Sequence, residues 1–241
     1  TYYYLYKAIQ GRGEKLRVLP AIAAISDGVD RSIESGKPVF ITPGDYADYS
    51  ADLAPMSFAG MNVLRYTTRM CVRKGARPIL IVPMKATVEP LMDGIFREVC
   101  AAEGKPEAYR REDVMFFGDS SPLAVKAVMA REGIGCYVNV GASSGAYGYQ
   151  PQYEAYNSGA VVISGTARPH VAPVYIMSAD YPLILEDVYA AGALCSEDLQ
   201  IMSAQVAGDL VKLFLVGMAL ISIILAPVIS PKTVLSFWKG G

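Results

Sequence analysis

From Leu213 to Pro231 the chain carries no charged side chain (LFLVGMALISIILAPVISP). As a helix, such a run is about as long as a hydrocarbon core of about 30 Å is thick. Phe237, Trp238 and Lys239 follow, an aromatic and basic cluster of the kind that sits at a membrane–water interface. What precedes the run has ordinary mixed polarity. The chain therefore reads as a water-soluble domain over 16–206, a transmembrane helix over 207–231 and a short tail over 232–241.

The other end points the same way. The chain opens Thr-Tyr-Tyr-Tyr-Leu-Tyr and continues with Lys7, Arg12, Lys15 and Arg17. Tyrosines followed by cations look like the trailing edge of a membrane helix and its cytoplasmic flank. Residues 1–15 are thus expected to be the end of an N-terminal membrane helix. Removing the membrane parts leaves roughly 200 residues, enough for one sizeable core.

Composition excludes some classes. The 22 basic and 23 acidic residues nearly cancel, whereas nucleic-acid binders show a basic excess or stripe. Cys71, Cys100, Cys136 and Cys195 lie far apart and form no C-x-x-C pair, and His170 is the single histidine. They read as small buried hydrophobes in a reducing compartment. No metal site and no cofactor is implied.

The middle of the chain alternates short apolar runs with longer helical patterns. A helix is expected over Leu16–Ile33, a strand over Pro38–Thr42 and a helix over Met56–Lys74 closed by Gly75. The pattern repeats as strand Pro78–Val82, helix Val88–Ala102 and strand Val114–Phe117. It continues as helix Pro122–Arg131, strand Cys136–Val140, a helix ending at Asn157 and strand Ala160–Ile163. Val174–Met177 is read as a sixth strand, and Pro182–Leu194 and Glu197–Gln205 as helices feeding the membrane span. Continuous apolar strands alternating with helices define an α/β, doubly wound, mostly parallel sheet of the Rossmann-like kind.

In such sheets ligands bind outside the carboxyl ends of the strands. The loops there carry Asp45; Gly118, Asp119, Ser120 and Ser121; Gly141, Ser143, Ser144 and Gly145; and Ser164 and Thr166. Together they form one candidate rim for an anionic ligand. Strand-to-helix turns also need glycine and N-cap hydroxyls for purely structural reasons. Gly141-Ala-Ser143-Ser-Gly145 matches the nucleophile-elbow pattern, but only His170 and Glu154 are at hand to complete a triad. Asp180, Glu186 and Asp187 read as acids complementing a helix dipole.

Three segments resemble a known family: Arg31-Ser-Ile-Glu-Ser-Gly-Lys-Pro-Val39, Ser164-Gly-Thr-Ala167, and Ala179-Asp-Tyr-Pro-Leu-Ile-Leu-Glu-Asp187 with Tyr189-Ala-Ala-Gly-Ala193. The family is an uncharacterised prokaryotic one of membrane-anchored α/β proteins, a domain of unknown function. The resemblance implies membrane helices on both sides of the α/β region and supplies no activity.

The expected role is a non-enzymatic, homo-oligomeric scaffold or an accessory subunit of a membrane assembly. Its partners would be the lipid bilayer, further copies of itself and other membrane-complex subunits, with no nucleic acid. The α/β domain would be cytoplasmic. Gly192, Ala193 and Gly208 are small residues that could allow close packing between helices. The competing expectation is a tethered anion-binding or sensing domain, with a hydrolase behind it.

Overall fold

The computed structural model describes residues 18–225 except 51, 119, 120 and 144, and leaves the side chains of 121, 146, 147 and 225 undescribed. The chain divides into two compact units at Asp198. The first, Arg17–Asp198, is the α/β domain.

In chain order its elements are α1 (Pro20–Ser35), β1 (Val39–Thr42), α2 (Ala54–Lys74), β2 (Pro78–Val82), α3 (Glu89–Ala102) and β3 (Val114–Phe116). Then come α4 (Ser121–Glu132), β4 (Cys136–Gly141), α5 (Ala146–Asn157), β5 (Val161–Thr166), α6 (Ala172–Met177), β6 (Tyr181–Ile184) and α7 (Glu186–Ser196). The six strands run in the order β3-β2-β1-β4-β5-β6, and every pair is parallel. This is the doubly wound arrangement, with its topological switch point between β1 and β4.

Helices cover both faces, which is why the inner strands are apolar throughout rather than alternating. On one face Val39 and Ile41, Leu80 and Val82, and Val138 and Val140 form a continuous core with α1, α2, α3 and α7. On the other, Phe40, Ile79, Ile81, Tyr137 and Val162 pack against Val125, Val128 and Met129 of α4 and Ala155 of α5. Gly36 and Gly75 cap α1 and α2 in the left-handed conformation that glycine adopts without a Cβ penalty.

Three sequence expectations change within the α/β domain. Val174–Met177 is not a strand but most of the helix α6, with Pro173 in its first turn, where a missing N–H costs nothing. The sixth strand is Tyr181–Ile184 instead, at a position read as the start of a helix. Pro182 is tolerated there because β6 is an edge strand. β5 runs on to Thr166, so Ser164 and Thr166 pair with Asn139 and Gly141 of β4 rather than lying in a loop. Glu186 and Asp187 do occupy the first turn of α7.

The second unit contains α8 (Leu199–Leu225). It is one continuous helix, not two. Leu199–Ile224 contains an 18-residue window with a mean hydropathy of 2.0, and the helix is long and apolar enough to cross a membrane. Its polar start includes an Asp209–Lys212 ion pair at 3.1 Å. The end of the expected span (226–231), the aromatic tail cluster and the N-terminal segment lie outside the described residues.

Gly192 does not present a free packing surface. A Cβ on it would lie 2.6 Å from the Ala59 Cα, so this glycine lets α7 press against α2. Gly192→Ala should lower the thermal midpoint of the full chain. Overpacking against backbone costs about 1–3 kcal/mol, more than the about 1 kcal/mol gained in helix propensity. Gly94→Ala on α3, where a Cβ meets nothing within 4 Å, is the matched control and should hold or raise the midpoint.

Candidate functional site

The carboxyl ends of β1 and β4 flank the switch point, where a doubly wound fold would receive a ligand. Here the protein's own backbone fills that crevice. The Tyr46 N–H donates to the Ala142 carbonyl at 3.0 Å, and the Ala142 N–H donates to the Pro43 carbonyl at 3.2 Å. The Met84 N–H, from the loop after β2, donates to the Asp45 carbonyl at 3.1 Å. Three strand-end loops are thus laced together.

Glycine permits this lacing. Gly44 has φ 100°, and a Cβ on it would fall 2.1 Å from the Ala142 carbonyl oxygen. Gly141 has φ 139°, and a Cβ on it would fall 2.1 Å from the Pro43 carbonyl oxygen. Gly60 of α2 meets the Val140 oxygen at 2.4 Å in the same sense. None of the three could carry a side chain without opening the seam.

Beneath the seam the rim hydroxyls turn inward. Ser143, Ser164 and Thr166 are fully buried. The Tyr175 hydroxyl of α6 donates to Ser143 Oγ at 2.5 Å and accepts from Asn139 Nδ2 at 3.1 Å. The Gly145 N–H also reaches Ser143 Oγ, at 3.3 Å. Ser143 is therefore held by a tyrosine and a backbone amide rather than exposed on an elbow, and His170 stands exposed in the loop after β5. Asp45 Oδ1 lies 2.6 Å from where a Cβ on Gly148 would be, and Tyr175 Oη lies 2.5 Å from the same point. A carboxylate thus already sits against the first turns of α5. Burial, then the Asp45 charge, pushes the phenols of Tyr175 and Tyr137 well above their ordinary value.

A buried polar layer extends from here. The register aligns Thr42, Asn139 and Ser164 across β1, β4 and β5, and by strand alternation they share the face covered by α5 and α6. Thr42 Oγ1, Asn139 Oδ1, Ser164 Oγ and Gln152 Oε1 of α5 are buried without a hydrogen-bond partner among the described residues. An orphaned buried polar atom costs about 1–3 kcal/mol. Four approach the whole net stability of a domain, about 5–15 kcal/mol.

The outer rim pairs with itself. Lys85 Nζ meets Asp48 Oδ2 at 2.5 Å, and the Thr87 hydroxyl donates to Asp48 Oδ1 at 3.2 Å. These bonds hold the Asp48 carboxyl below its ordinary range and the Lys85 ammonium above its own. Lys85 and Arg168 both lie over the Tyr46 ring, at 5.3 and 6.0 Å from its centroid.

The structure brings Asp45, Gly141, Ser143, Gly145, Ser164 and Thr166 into one region. Gly118 and Ser121 sit instead at β3, the far edge, three strand spacings or about 14 Å from β4. Asp119, Ser120 and Ser144 lie outside the described residues. Sequence reading missed Tyr175, Asn139, Gly60 and Gln152. Only Asn139, a polar residue inside an apolar strand, carried a local signal.

At the opposite end of β5 and β6 an open cleft of about 530 Å³ is lined by Asp27, Arg31, Tyr156, Asp180 and Tyr181. Those side chains are exposed. No group of three or more His, Cys, Asp and Glu able to hold a metal occurs among the described residues. The four cysteines are free and buried.

Among the described residues, fold and rim together define a doubly wound α/β protein whose switch-point loops are laced together, with one helix apolar enough to span a membrane. The chain belongs to the family described as Domain of unknown function (DUF6754), whose model matches residues 1–236. Searches of curated proteins and of solved structures each found no match.

Tyr175→Phe should destabilise the protein by about 1–3 kcal/mol, because it strands the buried Asn139 amide and Ser143 hydroxyl. Chemical unfolding of the full chain measures this. Stability should also fall as pH rises above about 9. Burial raises the Cys136 and Cys195 thiols to about 12. The unfolded chain therefore releases these protons while the native one keeps them, and the loss runs from the ordinary thiol range up to that value. Unfolding midpoints measured from pH 8 to 12 check the sign.

Proposed function

We propose that this protein is a non-enzymatic, membrane-tethered α/β subunit that self-associates, or serves as an accessory part of a membrane assembly. The carrying observation is the laced switch point. The place where this fold would receive a ligand is occupied by the Gly44, Gly60 and Gly141 backbones and by inward-turned hydroxyls. The Asp45 carboxylate against α5 weighs against an anion at the same rim, because like charges compete for one helix terminus.

The α/β domain belongs on the cytoplasmic side in this reading. Lys7, Arg12, Lys15 and Arg17 precede it, and positive flanks stay inside. Four free thiols suit a reducing compartment. The surface assigned to subunit contact is the β6 edge, where Ile176, Met177 and Tyr181 are 53, 73 and 37% exposed. An edge strand with apolar flanks is a ready site for association.

Native mass spectrometry of the intact protein, extracted gently from its own membrane, tests the proposal. A discrete assembly is expected, and Met177→Asp should shift it toward monomer while leaving the fold intact. A monomer carrying a small bound molecule would overturn the scaffold reading.

A further inference from the structure

We propose that the open cleft at the amino ends of β5 and β6 binds a small basic α-amino acid, a molecule with the charges of lysine or arginine. Its volume of about 530 Å³ is that of a small-molecule site. The cleft lies at the end of the sheet away from the laced rim. Asp27 and Arg31 of α1, Tyr156 of α5, and Asp180 and Tyr181 at the start of β6 line it. Asp27 and Arg31 are i,i+4 neighbours, with Cβ atoms about 5–6 Å apart, a spacing from which aspartate and arginine ordinarily pair. Here they do not pair, and neither has another charged partner among the described residues. Every other described arginine pairs with a carboxylate, or lies over an aromatic ring as Arg168 does over Tyr46. A cation and an anion are thus left open side by side at one cleft.

Asp180 is fixed beside them. Its Oδ2 accepts from the Val162 N–H at 2.8 Å, and its own N–H donates to the Val162 carbonyl at 2.9 Å. Its Oδ1 remains for a ligand. Two carboxylates and one guanidinium give the cleft one net negative charge. A basic amino acid carries the complement, two cations and one carboxylate. Its α-carboxylate would take the Arg31 fork, and its α-ammonium the Asp27 carboxylate. The side-chain cation would reach Asp180 between Tyr156 and Tyr181, whose rings attract cations. An acidic amino acid would set its second carboxylate against Asp180, an apolar one would leave Asp180 unmatched, and a diamine would leave Arg31 unmatched. All the lining residues come from one copy, so a ligand here is compatible with assembly and does not depend on it.

Calorimetric titration of the full chain with lysine and with arginine is the test, with glutamate, leucine and the diamine made by decarboxylating lysine as comparisons. Saturable binding of lysine or arginine is expected, one per chain, and weaker or no binding of the other three. Asp27→Asn and Arg31→Gln should each weaken that binding about tenfold or more, because each removes a charged hydrogen bond. Both side chains are exposed, so the melting midpoint of the unliganded protein should hold. No saturation by lysine or arginine at millimolar concentration overturns the proposal. So does affinity that neither substitution changes, or glutamate or the diamine binding as tightly as lysine. The assembly state is measured separately by native mass, so failure of the site and failure of the scaffold reading are told apart.

Discussion

Backbone packed against backbone at the switch point is the constraint on which the rest of this domain depends. In a sheet of this strand order the connections after β1 and β4 leave to opposite faces, and the gap between them is normally where a ligand lies. In this protein Gly44, Gly60 and Gly141 allow the gap to close on itself. Closure brings the loop after β1 onto the loop after β4 through direct amide–carbonyl bonds. It also places Asp45 beside Gly148, at the beginning of α5. The glycines would ordinarily be read as an invitation to a phosphate. Here the approaching group is the chain itself.

Closure sets the electrostatics of everything below it. Sealed from water, Tyr175 and Tyr137 are held neutral by burial and by the nearby carboxylate. The Asn139–Tyr175–Ser143 chain then becomes a structural device, fixing α6 to the end of the sheet. Polar groups in a low-dielectric interior are costly when orphaned and rigidifying when paired. That is why the network must be complete, and why its alignment across three strands matters. On the outer rim, by contrast, the buried Asp48 carboxylate is paired with Lys85, whose ammonium stays in contact with solvent.

The fold was legible where local pattern and tertiary role coincide. Val39–Thr42, Pro78–Val82 and Cys136–Val140 are continuous apolar runs, and only a two-sided sheet buries such runs. Gly75 ended its helix as read, at positive φ. Legibility failed where pairing overrode local preference. Ser164-Gly165-Thr166 has loop composition, yet β4 offers it a complete ladder. Tyr181-Pro182-Leu183-Ile184 opens like a helix, yet it completes the edge of the sheet. Val174–Met177 has strand composition, but it follows Pro173 in a short helix. The loops at the carboxyl ends of the strands could be listed from the sequence, but the direction in which their hydroxyls point could not be read from their spacing.

What the amino-acid sequence by itself determined is the class. Periodicity of two kinds, glycine stops and a long uncharged apolar run are local properties, and they specify a doubly wound α/β domain with a helix apolar enough to span a membrane. Whether its rim is open or sealed was decided only by tertiary structure. Gly44 meets Ala142, Gly60 meets Val140 and Asn139 meets Tyr175 across long stretches of chain. Contacts of that kind leave no periodic trace in sequence, because each depends on the register of the sheet and on the close approach that a missing Cβ allows.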